Sequence, residues 1–235
     1  DRNFVRHEIL PLIRSRWPSV DGTISRSSGH LKTIQSSLDK SAQIDLNKFL
    51  TASRSTLLGD YGCVRVGELI KLDQTQIVEI LRYWVRSEGL TLPSTRKMNE
   101  LIRQVFRKDN SGRGGICWNE GEFRAYREFL YLLPVQPKLC SPATQYWCGL
   151  DAVRISQVEV ALSSCRRMGS GISVSCIKDT QFILDWQRRD RVIQPSRSRH
   201  SRTIKNLFQE NGIPPWERRR LPFVYLGDDL VCIPG

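Results

Sequence analysis

Arginine and lysine side chains are the chemically distinctive groups of this sequence, whose formal net charge is +12. Most of the excess positive charge lies in two short stretches. Residues 186–205 contain seven cations and one acid, and residues 96–113 contain six cations and two acids. An ordinary solvated surface mixes both signs, so two concentrated basic stretches indicate a surface that binds a polyanion. Nucleic acid is the polyanion that this pattern favours.

The candidate nucleic-acid contacts come from these two stretches and from one later segment, WERRR. They are Arg103, Arg107 and Lys108 in the first stretch, Arg188, Arg189, Arg191, Arg197, Arg199, Arg202 and Lys205 in the second, and Arg218 in the last segment. Ile204, Leu207 and Phe208 recur at helical spacing and predict one buried face. Arg202 and Lys205 are then displaced toward water, where phosphate can reach them.

Cysteine and histidine, the other residues with obvious chemistry, form no recognisable pattern. The seven cysteines include no Cys-x-x-Cys pair, and the three histidines lie far apart. Structural zinc sites use closely spaced ligands, and no nucleophile elbow or Cys-His signature supports a hydrolase. The glycine-rich turn at residues 110–115 is not followed by the Lys and Ser/Thr that a Walker loop requires after its last glycine. We therefore predict free thiols, no bound metal and no nucleotide site in this chain.

Hydrophobic periodicity predicts helices in the first half of the chain. They cover residues 1–17 with a kink at Pro11, a longer segment through Ile24, Leu31, Ile34 and Leu38 toward Phe49, a helix from Asp73 to Gly89, and a helix after Ser94. Asp73 and Gln76 have capping-box spacing, and Ser94 is a good N-cap. In the second of these two helices, apolar residues 98, 101, 102, 105 and 106 define a core face.

Strand-forming runs and turn residues predict sheets in the second half. The predicted strands are residues 116–118, 123–133, 153–162, 172–177, 182–186, 223–226 and 230–233, the last two forming a hairpin around Gly227. The predicted fold class is α+β, with a mainly helical middle domain followed by a small mixed α/β C-terminal domain. The predicted domain limits are 1–20 for an exit or linker helix, 21–137 and 138–235. No apolar run reaches the length of a membrane span.

The final stretch, residues 201–235, has a distinctive order of elements. A basic helix ends at Gly212, a Pro-Pro-Trp corner leads into WERRR, and the hairpin follows. The sequence KNLFQENGIPPWERRRLPFVYLGDDLVCIPG closely resembles the last domain of bacterial tRNA(Ile)-lysidine synthetases. That family has a Lys-Leu-Phe-Gln-Glu helix, a Pro-Pro-Trp, an Arg-x-x-x-Pro and a final Gly-Asp-x-Leu-Val-x-x-x-Gly. At the other end, DRNFVRHEILPLI resembles the segment by which the family leaves its catalytic domain.

The resemblance implies an enzyme that activates the wobble cytidine of the tRNA(Ile) CAU anticodon with ATP and attaches lysine to it. The family's Ser-Gly-Gly-x-Asp-Ser loop, which holds pyrophosphate, does not occur in these residues. We therefore expect ATP and magnesium for the full-length cytoplasmic ligase and neither for this chain, which is predicted inactive alone. The implied partners are tRNA(Ile) and, through the catalytic domain, lysine and ATP. No membrane is implied, and a homodimer is left open.

Three residue-level features of the resemblance carry further expectations. Arg6 matches the family's Arg-Asn-x-x-Arg, so it either reaches a phosphate near the catalytic centre or pairs within the interdomain helix. Arg191 and Pro195 match the family, but Arg188-Arg189 replaces its usual Gly-Gly, which adds charge and removes a close backbone approach.

The alternative function is a stand-alone basic RNA-binding module without catalytic activity.

Overall fold

The computed structural model describes residues 1–52, 62–106, 113–135, 143–149, 152–155, 160–165, 168–169, 171–173, 181–187, 192–193 and 201–234. Its helices are α1 (Arg2–Phe4), a π-helical turn (Val5–Ile9), α2 (Leu10–Arg16), α3 (Val20–Phe49), α4 (Val66–Leu69), α5 (Gln74–Ser87), α6 (Thr95–Val105) and α7 (Ile204–Glu210). Its strands are β1 (Leu50–Ala52), β2 (Gly62–Arg65), β3 (Arg113–Cys117), β4 (Gly121–Tyr126), β5 (Phe129–Pro134), β6 (Gln145–Trp147), β7 (Val153–Ile155), β8 (Val160–Leu162), β9 (Phe182–Asp185), β10 (Val192–Ile193), β11 (Arg202–Thr203), β12 (Phe223–Leu226) and β13 (Asp229–Cys232).

The first forty residues form a helical arm whose side chains are largely exposed. Pro11 lies at the start of α2 and has no N–H to donate, so the helix widens into a π-helical turn just before it. The predicted apolar face is present but uncovered, since Leu12 is 72% exposed and Leu31 is 66% exposed. The end of α3 does enter the fold, where Ala42 and Leu46 are buried.

Helices α3, α5 and α6 pack on one face of the antiparallel sheet β1-β2-β5-β4-β3. The predicted capping box at the start of α5 is confirmed, because the Asp73 side chain accepts from the Gln76 N–H and the Gln76 side chain accepts from the Asp73 N–H. Ser94 caps α6 by accepting from the Lys97 N–H. The core of this unit includes the following buried side chains: Trp84, Leu101, Phe123, Leu130 and Leu132.

The middle of the chain contains more sheet than the sequence predicted. We predicted one strand pair between residues 116 and 133, whereas β4 and β5 are joined by β3 on one side and by β2 and β1 on the other. β1 begins where α3 ends and pairs with β2 in the register Leu50↔Val64. The α+β class is confirmed, and the middle of the chain, although it contains more helix than strand, also has a five-stranded sheet.

The last part of the chain folds around a second antiparallel sheet, β13-β12-β9-β6. α7 buries Ile204 and Phe208 against one face of this sheet, and Trp147 and Leu162 pack with the cluster on its other face. The predicted hairpin is confirmed as β12 and β13. Residues 215–220 form turns between α7 and this hairpin. Within the predicted strand 172–177, residues 172–173 are irregular and the rest lie outside the described residues.

Two further findings concern the whole described part of the chain. None of its helices is long and apolar enough to cross a membrane. Among the cysteines that it describes, Cys63, Cys117, Cys165 and Cys232 are free thiols. Burial raises the pKa of the Cys63 thiol, which donates to the Thr51 carbonyl at 3.4 Å.

Candidate nucleic-acid interface

Helix α7 presents Lys205 to solvent. Thr203 caps the helix by accepting from the Asn206 N–H at 3.2 Å, which fixes its first turn. Ile204 and Phe208 then point into the core, and Lys205, one position after Ile204, is exposed. The predicted orientation of Lys205 away from the apolar face is thus present in the structure, and its ammonium is accessible to a phosphate.

Arg202 lies in β11, the strand directly before this helix, and has an acidic partner. Its guanidinium donates to the Glu210 carboxylate at the far end of α7. The side chains are 41% and 49% exposed. An ion pair this accessible to water contributes little to stability, typically about 0–1 kcal/mol. Glu210 therefore offsets the charge of Arg202 without locking the arginine in place.

Helix α6 carries the first basic stretch. Met98, Leu101 and Val105 are buried, whereas Arg96 and Arg103 are exposed on the opposite side. The Gln104 side chain accepts from the Gly115 N–H at 3.0 Å and ties the helix to β3. Arg103 is therefore an exposed cation on a helix that is anchored to the first sheet.

The remaining candidate contacts of the two stretches lie outside the described residues. They are Arg107, Lys108, Arg188, Arg189, Arg191, Arg197 and Arg199. Arg6 is described and lies exposed in the π-helical turn of the arm. The contribution of all eight arginines and lysines to RNA binding stays a prediction.

Arg218 is engaged within the protein. Its Nε donates to the Ile213 carbonyl at 2.9 Å, and its Nη2 donates to the Tyr126 hydroxyl at 3.2 Å. The guanidinium also lies over the Phe208 ring, 5.7 Å from the centroid. Tyr126 belongs to β4 of the first sheet and Phe208 to α7. Arg218 therefore links the two halves of the structure through its hydrogen bond to Tyr126, and a phosphate would have to displace the hydrogen bonds that it makes within the protein.

Trp216 makes a second link at the same place. Its ring meets Tyr126 edge-on at a centroid distance of 6.0 Å and Tyr131 at 5.4 Å. The Arg124 guanidinium lies 5.3 Å from the centroid of the same ring and also pairs with Glu122 at 2.8 Å. These contacts are with the face of the first sheet that is opposite its helices.

Arg127 completes the link from the turn between β4 and β5. It is in the left-handed region, with φ +55°. Its guanidinium lies over the Tyr126 ring and donates to the Gln209 carbonyl in the last turn of α7. A Cβ on Gly212 would lie 3.2 Å from its Nη1. We call this group the aromatic seam, and it consists of Arg124, Tyr126, Arg127 and Tyr131 on one side and Gln209, Gly212, Trp216 and Arg218 on the other.

Sequence reasoning did not identify the aromatic seam. One signal was available, because Glu122, Arg124 and Tyr126 alternate with the buried residues Phe123 and Ala125. Such alternation indicates a strand with one polar face. It does not show what covers that face. Among the described residues, no group of acidic, histidine and cysteine side chains could hold a metal ion.

These features define a two-part α+β protein with exposed cations on both parts, and two family models match it. Residues 64–131 match the TilS substrate binding domain, and residues 183–235 match the TilS substrate C-terminal domain. Together the matches include the first sheet's central strands, α5, α6, α7 and the aromatic seam. The chain belongs to the tRNA(Ile)-lysidine synthase family.

Curated relatives match the whole chain and carry the name of the same family. It is 28% identical to the tRNA(Ile)-lysidine synthase of Legionella pneumophila strain Paris, 27% to that of Methylococcus capsulatus and 30% to that of Nitrosomonas europaea. Each match includes 100% of this chain and respectively 51%, 52% and 49% of the relative. The chain thus spans about half the length of the curated relatives it matches, and it corresponds to their C-terminal half.

Proposed function

We propose that this chain is the tRNA-recognition part of a tRNA(Ile)-lysidine synthase, a cytoplasmic ligase that attaches lysine to the wobble cytidine of the CAU anticodon. The observation that carries the proposal is the pair of substrate-domain matches, which include both Arg103 and Lys205. Both cations are exposed on helices whose opposite faces are buried. Contacts from such side chains to phosphates supply affinity for RNA without reading its sequence.

ATP and magnesium belong to the proposed full-length enzyme, and the residues of this chain do not fit them. The Ser-Gly-Gly-x-Asp-Ser loop is missing from the sequence, and the glycine-rich stretch at residues 110–115 is not followed by the Lys and Ser/Thr that a Walker loop requires. No catalytic step is therefore assigned to residues of this chain. We propose that lysine and ATP are bound by a separate catalytic domain and that this chain alone forms no lysidine.

The proposed division of the chain follows from the same function. Residues 1–20 would lead from the catalytic domain, residues 21–137 would form the first tRNA-recognition domain and residues 138–235 the second. The exposed apolar positions in the arm, such as Phe4 and Leu12, support the first of these assignments. Helix faces of this kind are usually covered when their neighbours in the complete protein are present.

A binding experiment tests the function directly. The purified chain should bind a tRNA(Ile) transcript, and replacing Arg103 and Lys205 together by Ala should weaken that binding. Each phosphate contact contributes about 0.7–0.9 to the slope of log affinity against log salt, so the slope should flatten by roughly 1.5. The matched control replaces Lys32 and Lys40, two exposed lysines of α3, by Ala and should leave the slope unchanged.

Two results would contradict the proposal. One is a double variant that keeps its helical circular dichroism and binds tRNA with the slope and affinity of the wild type. The other is formation of adenylated or lysidine-modified tRNA by this chain alone when ATP, magnesium and lysine are supplied. A chain that binds every structured RNA equally, including unrelated RNA, would instead favour the stand-alone RNA-binding module.

A further inference from the structure

The two halves of the structure have separate hydrophobic cores. The larger cluster contains buried residues between positions 42 and 132, whereas the two clusters of the second sheet lie between positions 147 and 233. A fourth cluster crosses this division. It combines Cys63, Tyr131 and Leu133 with Trp216. The aromatic seam is therefore a place where described residues of the two halves pack directly on each other.

A continuous series of contacts connects the two exposed cations through this seam. Arg103 lies on α6, which is tied to β3 by the hydrogen bond between Gly115 and Gln104. β3 pairs with β4 along its length. From the end of β4, Tyr126 and Arg127 contact Arg218 and Gln209, which brings the path to α7 and Lys205. Each step along this path is either a regular helix or strand or a specific polar contact between two residues.

Within this path, the contacts of Trp216 are of a kind that orients the two halves relative to each other. Its ring is contacted edge-on by two tyrosines and by the Arg124 guanidinium, and these geometries depend on direction as well as on distance. Its indole Nε1 is buried and makes no hydrogen bond within the described part of the chain. The contacts of Trp216 with the first sheet are thus made by the ring itself, without the N–H.

We infer that the aromatic seam, with Trp216 as its positioning residue, fixes the spacing of two cationic surfaces so that both contact one tRNA. These surfaces are the exposed face of α6, which carries Arg103, and the exposed face of α7, which carries Lys205. This inference rests on the proposed function. Two surfaces held at a fixed spacing bind a long ligand more tightly than either alone, because the second contact becomes intramolecular. Loosening the seam would keep every cation exposed but would reduce that advantage.

The test compares a long and a short RNA. Trp216→Ala should bind tRNA about tenfold more weakly than the wild type, a modest part of the gain that linkage can supply. Its affinity for a hairpin shorter than one helical turn, which reaches a single surface, should stay unchanged. Trp216→Phe should restore tRNA binding because it keeps an aromatic ring and the N–H is unused. Trp17→Ala, which removes a tryptophan that is exposed in the arm, is the matched control and should bind both RNAs normally.

The outcomes separate this inference from the function on which it rests. If the wild type does not bind tRNA, the proposed function fails. If Arg103→Ala/Lys205→Ala weakens tRNA binding but folded Trp216→Ala does not, only the inference is overturned. Equal losses for tRNA and hairpin would also overturn it, since they indicate general damage to the fold. Should Trp216→Ala not fold, Tyr126→Phe removes only the hydroxyl that accepts from Arg218, and a selective loss for tRNA, of at least twofold, is then expected. Unchanged tRNA binding by that variant would again refute the role.

Discussion

Glu210 forms an ion pair with Arg202, so removing this acid should strengthen RNA binding. Most substitutions at a binding surface are expected to weaken it. Glu210→Gln keeps the size of the side chain and removes its charge. The pair is almost half exposed, so its loss should cost about 0–1 kcal/mol of folding stability and leave α7 intact. Arg202 then becomes available to phosphate without competition from its own chain.

The magnitude follows from counterion release. One additional phosphate contact steepens the slope of log affinity against log salt by about 0.7–0.9. Between 50 and 200 mM salt, the affinity of Glu210→Gln should therefore fall by about threefold more than that of the wild type. At low salt the variant should bind tRNA more tightly, because it has gained a contact and lost a like-charge repulsion.

Fluorescence anisotropy with labelled tRNA across a salt series measures both quantities. Glu88→Gln is the matched control, since Glu88 is exposed at the end of α5 and its replacement changes the net charge equally. If both variants steepen the slope alike, the effect is one of total charge and the local reasoning is wrong. If neither changes it, Arg202 does not contact RNA even when its acidic partner is removed.

Two further predictions concern stability. Burial, followed by the charges of Cys63, Glu217 and Tyr126, raises the pKa of Tyr131 to about 12, so the folded protein favours the neutral phenol. The free energy of unfolding should therefore fall by up to about 2.7 kcal/mol between about pH 10 and pH 12. In urea titrations made at each pH, Tyr131→Phe should remove most of that fall. An equally steep fall in the variant would show that other groups cause it. Gly115→Ala should destabilise the fold by about 1–3 kcal/mol because the new Cβ would lie 2.2 Å from the Phe123 carbonyl, whereas Gly67→Ala, with open space around it, should change little. Thermal unfolding compares the two, and equal midpoints would contradict the reasoning.

The helices that could be predicted from sequence are those with complete local signals. α5 has both partners of a capping box and an apolar stripe, and the glycine that follows it, Gly89, has φ +72°. Ser94 and the stripe of α6 give equally local information. Such signals involve residues within a turn or two of each other, so they do not depend on knowing the rest of the fold.

The first sheet could not be completed from sequence because its outer pairings are long-range. β1 and β2 are three and four residues long, and β2 pairs with β5, more than sixty positions away. Short strands carry too little periodicity to identify themselves, and their pairing is decided by packing against the rest of the sheet. The resulting five-stranded sheet is what provides a second face for Trp216 to cover.

The basic character of the site was predictable, but the engagement of individual cations was not. Arg202 and Arg218 both looked like free cations in the sequence. The acidic partner of Arg202 lies eight residues further along, and the tyrosine partner of Arg218 lies 92 residues earlier. Charge counting identifies a surface that attracts a polyanion, and only the fold shows which of its members are already hydrogen-bonded to the protein.

The Pro-Pro-Trp segment, one of the motifs by which the sequence resembles the family, supplies Trp216 to the aromatic seam. α7 ends in a Schellman arrangement, with Gly212 at φ +73° and the Ile213 N–H donating to the Phe208 carbonyl at 2.9 Å. Two prolines then restrict the backbone, and the Pro214 carbonyl accepts from the Glu217 N–H at 3.1 Å to close a turn. The direction in which Trp216 leaves the chain is thereby fixed relative to α7. A tryptophan on a flexible loop would find the same tyrosines without fixing the position of Lys205, so the rigid corner is what allows a single ring to orient an entire helix.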